Sequence, residues 1–166
     1  MKKPDKIQQH NIQPSDIIFH PLHFLSLGLG SGLSPFAPGT AGTIIAVLLY
    51  IPLSYLSLWN YVIVLIVGSL VGIYLCQKTS DSLGVKDHPA IVWDEFLGYW
   101  LTMLLAPEGW QWIVLGFILF RLFDIWKPWP IRVIDHKVEG GLGIMLDDLL
   151  AGAYAFIVLQ LVHYYI

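Results

Sequence analysis

Charge in this 166-residue chain is confined to one side of its apolar segments, and that sidedness restricts the fold more than any single motif does. All nine Lys and Arg residues, and eleven of the twelve acids, fall on one side of the membrane spans predicted from the apolar runs; the exception is Glu108, in a short turn. A charge at the centre of a membrane helix costs about 2.5–3.5 kcal/mol, so charges near hydrocarbon usually mark function. Apolar residues make up 56% of the chain and charged residues only 13%, against roughly 25% charged in a soluble domain. The expected class is therefore an integral membrane protein. The net charge of −3 gives no reason to expect a nucleic-acid partner.

The apolar runs divide the chain into about five segments. Residues 1–20, with Lys2, Lys3 and Lys6 and no apolar core or small-residue cleavage site, read as a mobile cytoplasmic tail and not as a signal peptide. Residues 21–166 read as one membrane-embedded domain. His20 to Leu33 is mildly amphipathic and is expected at the membrane surface. Ser34 to Thr43 is a Pro- and Gly-punctuated loop that opens a helix. Thr43–Leu58 and Tyr61–Cys76 are the first two segments, joined at Trp59-Asn60 and followed by a polar loop, Gln77–His88. The third runs from Ala90 to Ala106, and the fourth from Trp110 to Trp126. A second polar loop, Lys127–Met145, precedes the fifth, Leu146–Ile166, which opens with Asp147-Asp148. With the amino terminus inside, every Lys and Arg is inside too, which is a strong positive-inside bias. The expected fold is an all-α integral membrane helical bundle. Segments three and four, whose apolar stretches are short, fit either two full spans or a re-entrant hairpin.

The charged positions then define candidate chemistry. Arg121 and Asp124 are three residues apart and share a helix face, with Lys127 at the helix end. A structural ion pair with a snorkelling lysine would explain that segment equally well. Asp94-Glu95 and Asp147-Asp148 open helices, where the macrodipole alone would favour acids. The same face also holds Asp81, Asp87 and Asp135, however, and clustered carboxylates repel unless a cation sits among them. Mg²⁺ suits hard oxygen donors and is often held by one or two carboxylates plus phosphate; Arg and Lys would neutralise phosphate oxygens. Pro38-Gly-Thr-Ala-Gly-Thr43 adds a helix amino terminus at that face, a weak phosphate signal by itself. Gly28-Leu-Gly30-Ser-Gly32 lacks the context of a dinucleotide site, and Gly140-Gly-Leu-Gly143 is equally ambiguous. His88 and His136 are expected to be merely solvated. Cys76 is the lone cysteine, and Gln77–Ser82 contains no Arg, so a cysteine-phosphatase loop is absent.

In order along the chain, Gly30-Ser-Gly-Leu-Ser-Pro35, Pro38-Gly-Thr-Ala-Gly42, Ile91-Val-Trp-Asp-Glu95 with Gly98, Phe120-Arg-Leu-Phe-Asp-Ile-Trp-Lys-Pro-Trp-Pro-Ile131, and Gly140-Gly-Leu-Gly-Ile-Met-Leu-Asp-Asp148 with Ala151-Gly152 resemble the phosphatidylglycerophosphatase A family. The resemblance covers about residues 20–155. It implies a Mg²⁺-dependent lipid phosphatase of the bacterial inner membrane, acting on a phospholipid substrate and completing phosphatidylglycerol synthesis. On this reading Asp94, Arg121, Asp124, Lys127 and Asp135 are the catalytic candidates. Gly39, Thr40, Gly42 and Thr43, with Arg121 and Lys127, would bind phosphate. Asp94, Glu95, Asp124, Asp147 and Asp148 would hold the metal. Water and carboxylate nucleophiles both remain open. Two rival readings are a small transporter, which predicts charges spread through the membrane depth, and a structural membrane protein whose acids are helix caps. The chain lacks the motifs of type 2 phosphatidic acid phosphatases and of CDP-alcohol transferases.

Overall fold

The computed structural model describes residues 13–166, and among these it contains helices and no strand. The first part of the expected tail, with Lys2, Lys3 and Lys6, lies outside the described residues; the rest carries a four-residue helix, α1 (Pro14–Ile17). The remaining helices are α2 (Pro21–Ser26), α3 (Pro38–Leu53), α4 (Leu58–Leu83), α5 (Trp93–Thr102), α6 (Trp110–Trp126), α7 (Ile131–Lys137) and α8 (Gly140–Tyr165), with a 3-10 turn at Gly28–Leu33. Start and stop signals explain several limits. Pro38 takes the first position of α3, where its missing N–H is not needed. The Ser57 side chain caps α4, and Gly84 ends it in the left-handed region, φ 67°. Lys127 ends α6 in the left-handed region and Pro128 follows it, so the helix stops at Trp126.

The first apolar segment, expected over Thr43–Leu58, is helical from Pro38 to Leu53, and α7 lies within the loop expected at Lys127–Met145; three further differences bear on the site. Helix α4 continues through Gln77 to Leu83, where a polar loop was expected, because Lys78 and Asp81 stay on a solvated helix end. Helix α8 begins at Gly140 and not at Leu146, which moves Asp147 and Asp148 two turns into the helix. Both are buried there, so capping of a helix terminus does not explain them. The third segment is helical for only ten residues, about 15 Å, half the thickness of a hydrocarbon core. Beyond Thr102 the chain continues in irregular backbone, with Leu105 at φ 57°, and turns back beside the end of α3 at Tyr50 to Tyr55. Gln160 of α8 donates to the Leu104 and Leu105 carbonyls at 3.2 and 3.1 Å. Irregular backbone at depth needs this internal satisfaction.

Helix α5 is the centre of the molecule, packed against α3, α4, α6 and most extensively α8. Phe96, Leu97 and Tyr99 are fully buried. Polar tips around it find carbonyls on neighbouring helices: Tyr61 Oη donates to Trp100 O (2.7 Å) and Trp100 Nε1 to Ala46 O (3.0 Å). Small residues set the α5–α8 spacing. A Cβ on Gly152 would overlap the Gly98 carbonyl, and one on Gly98 would strike the Phe120 ring. Gly152→Val should therefore destabilise by about 3 kcal/mol, seen as a melting temperature lowered by roughly 6–12 °C in a detergent thermal melt; an unchanged transition would show that the two helices slide apart freely.

The outer surface is apolar. Two helices, Leu58–Leu83 and Gly140–Tyr165, are long and apolar enough to cross a membrane. Only 22% of the most apolar window of α4 is buried inside the protein, unlike the core helix of a soluble domain. Ile63, Ile66, Val67 and Leu70 stand exposed in the middle of α4, while Tyr55, Trp59, Trp110 and Tyr164 are exposed near one end of the bundle and Trp126 and Trp129 near the other. Aromatic rings collect at the two membrane–water interfaces in this manner.

Candidate active site

Four segments converge where α5 begins and α6 ends. Arg121 lies on the last turns of α6, and its Nη1 donates to both Glu95 oxygens at 2.5 and 2.6 Å and pairs with Asp124 Oδ2 at 2.8 Å. The side chains of Arg121, Glu95 and Asp124 are only 14%, 9% and 13% exposed, so this is a buried assembly. Thr43 of α3 donates its hydroxyl to Glu95 Oε2 at 2.9 Å, with the Gly39 carbonyl as a second acceptor at 2.9 Å. A Cβ on Gly39 would overlap Glu95 Oε1 and crowd the Arg121 guanidinium. Only glycine lets the start of α3 sit this close to the ion pair.

A second assembly forms just beyond. Lys127, in the left-handed region at φ 45°, ends α6 so that its ammonium reaches Asp135 of α7 (2.8 Å) and Asp147 of α8 (2.6 Å). Burial pulls the Lys127 pKa down, but hydrogen bonds and charge from Asp135 and Asp147 outweigh it and leave the amine above its ordinary range. Asp135 and Asp87 line a cavity of about 200 Å³ with His136, Glu139 and Gly143. Desolvation raises the Asp87 carboxyl, Lys127 opposes the shift, and Asp135 and Asp124 add to it; Asp87 is exposed at the rim, where solvent screens the effect.

Among the described residues, five buried side-chain atoms have no hydrogen-bond partner, and four of them are in this region: Asp94 Oδ1, Asp147 Oδ1, Asp148 Oδ2 and Arg121 Nε. Buried polar groups are rarely left so, and each is expensive without a partner. Among the described residues, no three His, Cys, Asp or Glu side chains stand close enough to hold a metal between them.

The expected site residues thus separate into groups. Arg121, Asp124, Lys127 and Asp135 are joined in ion pairs, together with Glu95 and Asp147. Asp94 and Asp148 retain an oxygen without a protein partner. Gly39 and Thr40 keep helix-start amides, since the ladder begins with Ala41 N donating to Ala37 O. Gly42 instead packs on Val92, and the Thr43 hydroxyl is engaged with Glu95. His88 Nδ1 accepts from Ala90 N, a local turn contact. The glycine-rich runs serve close packing: Gly32 meets the Ala90 carbonyl, and Gly141, whose N–H donates to Gln77 Oε1, meets the Ile73 carbonyl. Sequence reasoning missed Asp87 as part of the cavity wall and Thr43 as the partner of Glu95; the Thr-to-Glu separation of 52 residues carries no local signal.

These features define an all-helical protein with apolar outer faces and a buried cluster of carboxylates and cations at one end. The chain belongs to the phosphatidylglycerophosphatase A family, whose sequence model matches residues 24–163. It is similar to the phosphatidylglycerophosphatase A of Escherichia coli K12, 48% identical over 134 residues, covering 80% of this chain and 78% of that one. The Haemophilus influenzae Rd protein of the same name is 48% identical over 153 residues, with 89% and 92% covered. A Bacteroides thetaiotaomicron protein, provisionally named a phosphatidylinositol-3-phosphatase, is 38% identical over 150 residues, with 86% and 93% covered. No solved structure matches the chain.

Proposed function

We propose that this chain is a lipid phosphatase that hydrolyses phosphatidylglycerophosphate to phosphatidylglycerol and phosphate, embedded in the bacterial inner membrane with its site at the cytoplasmic face. Family membership supports the reaction. The observation that carries the site is the set of unpartnered buried oxygens on Asp94, Asp147 and Asp148 beside two cations, the largely buried Arg121 and the half-buried Lys127. Carboxylates held this way call for a positive ligand and guanidinium and ammonium groups for a negative one, and a phosphomonoester with its counter-cation supplies both. Five segments would cross the membrane, with α5 and the irregular stretch after it as the third, and residues 21–166 form one domain behind a cytoplasmic tail.

The donor set fits Mg²⁺: carboxylate oxygens without soft ligands, and few of them, as this ion prefers when substrate phosphate and water complete its shell. Asp94 and Asp148 would hold it as a pair, with Asp147 engaged by Lys127 and with Glu95 and Asp124 steered away by Arg121. When bound, the ion would polarise the phosphoryl group and stabilise its developing charge. Arg121 keeps a buried Nε–H without a partner, so it can donate to an equatorial phosphoryl oxygen while Nη1 stays locked by Glu95 and Asp124. Thr43 fixes Glu95, and Glu95 fixes the guanidinium. The Gly39 and Thr40 amides add uncharged donors at the start of α3. Lys127 neutralises a second phosphate oxygen, and Asp135, held as a carboxylate 2.8 Å from that ammonium, would take a proton from a water that attacks phosphorus and return it to the departing glycerol oxygen.

Purified protein in detergent should release phosphate from phosphatidylglycerophosphate with Mg²⁺ and stop on EDTA addition. Phosphatidylinositol 3-phosphate, assayed in parallel, should be the poorer substrate. Faster turnover of the inositol lipid would reassign the substrate, and EDTA-resistant turnover would remove the metal from the reading.

A further inference from the structure

An open, shallow groove of about 400 Å³ lies on the outer surface between α4, α5 and α8, and none of the side chains of the active-site ion pairs line it. Of its eight lining residues seven are aliphatic, among them Val62, Leu65, Leu101, Leu104 and Leu149, and the eighth is Ser69. Its origin is the shortness of α5. Helices α4 and α8 each run for 26 residues, whereas α5 stops after ten. Past that point the space between the two long helices is floored by Leu101 and by Leu104 of the irregular stretch, and not by further helix.

Resting on the phosphatase reading above, we infer that this groove seats one acyl chain of the lipid substrate. Two connections to the site favour that occupant. Leu101 lies seven residues after Asp94 on α5, two turns along the same face, with Leu97 between them seated against Gly68. On α8, Leu149 directly follows the buried Asp148. The end of the groove nearest Leu149 is thus level with the carboxylates, and the other end, at Val62, lies about 12 Å further along α4 by helix rise from Leu70. A lipid whose phosphomonoester reaches Arg121 has its tails tethered at this depth. Within hydrocarbon the groove gains nothing from the hydrophobic effect, because membrane lipid is equally apolar; it acts through shape and van der Waals contact, fixing the orientation of the substrate.

The test fills the groove and compares substrates. Ser69→Trp places an indole in it, and Ile63→Trp, on the exposed face of α4 outside the lining, is the matched control. Each protein is assayed on dioleoyl and on dihexanoyl phosphatidylglycerophosphate in the same micelles, with melting temperature and oligomeric state recorded. The inference expects Ser69→Trp to lower kcat/KM about tenfold on the dioleoyl lipid and less than twofold on the dihexanoyl one, with Ile63→Trp changing neither. Equal losses on both substrates would make the groove structural or an interface between copies and would overturn the inference, as would no loss on either. A wild-type chain inert on both lipids would instead overturn the phosphatase reading itself, and the inference with it.

Discussion

Arg121→Lys should lower kcat by about 10²–10³, the typical effect of deleting one well-placed donor to a transition-state oxyanion, while the protein stays folded. The substitution keeps a positive charge near Glu95 and Asp124, so the buried carboxylates are not stranded. What it removes is the rigid fork. In the native site Nη1 is fully committed to Glu95 and Asp124 while Nε is left without a partner, a division of labour that a single ammonium cannot reproduce. Arg121→Met provides the contrast: uncompensated burial of two carboxylates should cost about 3–5 kcal/mol and lower the melting temperature as well as activity. Steady-state phosphate release and thermal melts separate the two effects. Turnover by Arg121→Lys within threefold of wild type would reduce Arg121 to a structural ion pair. Loss of folding in Arg121→Lys would show that the guanidinium is needed for packing before chemistry.

Asp148→Asn should have an opposite signature, with activity falling while metal-free stability holds or rises. The side chain is 3% exposed, and its Oδ2 has no donor in reach. Four acids, Asp94, Glu95, Asp124 and Asp147, stand near it against one cation, Arg121, with which it makes no ion pair, so neutralising it relieves net like-charge repulsion at no loss of a hydrogen bond. A residue that burdens the empty fold in this way is retained for what it binds. Loss of one carboxylate that holds Mg²⁺ removes part of the several kcal/mol such an ion supplies to a phosphoryl transition state, a decrease of about 10²–10³ in rate. The discriminating measurement is the melting temperature with and without Mg²⁺. At a concentration about a hundred times its dissociation constant, the ion should stabilise wild type by about 2.7 kcal/mol, and this gain should be absent in Asp148→Asn. Equal Mg²⁺-induced shifts in the two proteins would exclude Asp148 from the metal site whatever the activity.

Helical class and apolar surface were legible in the sequence because they depend on local quantities. Runs of apolar residues, Pro38 before α3, Pro128 after α6 and Gly84 after α4 are each read from a few adjacent positions. The Arg121–Asp124 pair belongs in the same category, since three residues on a helix bring two side chains to one face, and the structure has them at 2.8 Å. Helix limits at the polar ends were less legible. Gln77 to Leu83 and Gly140 to Met145 look like loops by polarity and glycine content, yet both are helical, because helix–helix packing at Gly141 and solvent at Lys78 satisfy them.

Periodicity and charge sidedness are properties of the chain alone, and they set which residue types are available at one end of the bundle and on which helices they ride. Which of these residues meet depends on how the helices pack. Glu95 was counted among the metal-holding acids, but it is held by Arg121, 26 residues away, and by Thr43, 52 residues away; Lys127 takes Asp147, 20 residues away. Asp94 and Asp148 are thereby left as the acids of this cluster with unsatisfied oxygens and no ion-pair partner. The physical reason is that these partnerships follow from α5 being short, central and clasped through Gly98 and Gly152. Such packing is settled by contacts among all the helices at once and leaves no signature within any one of them.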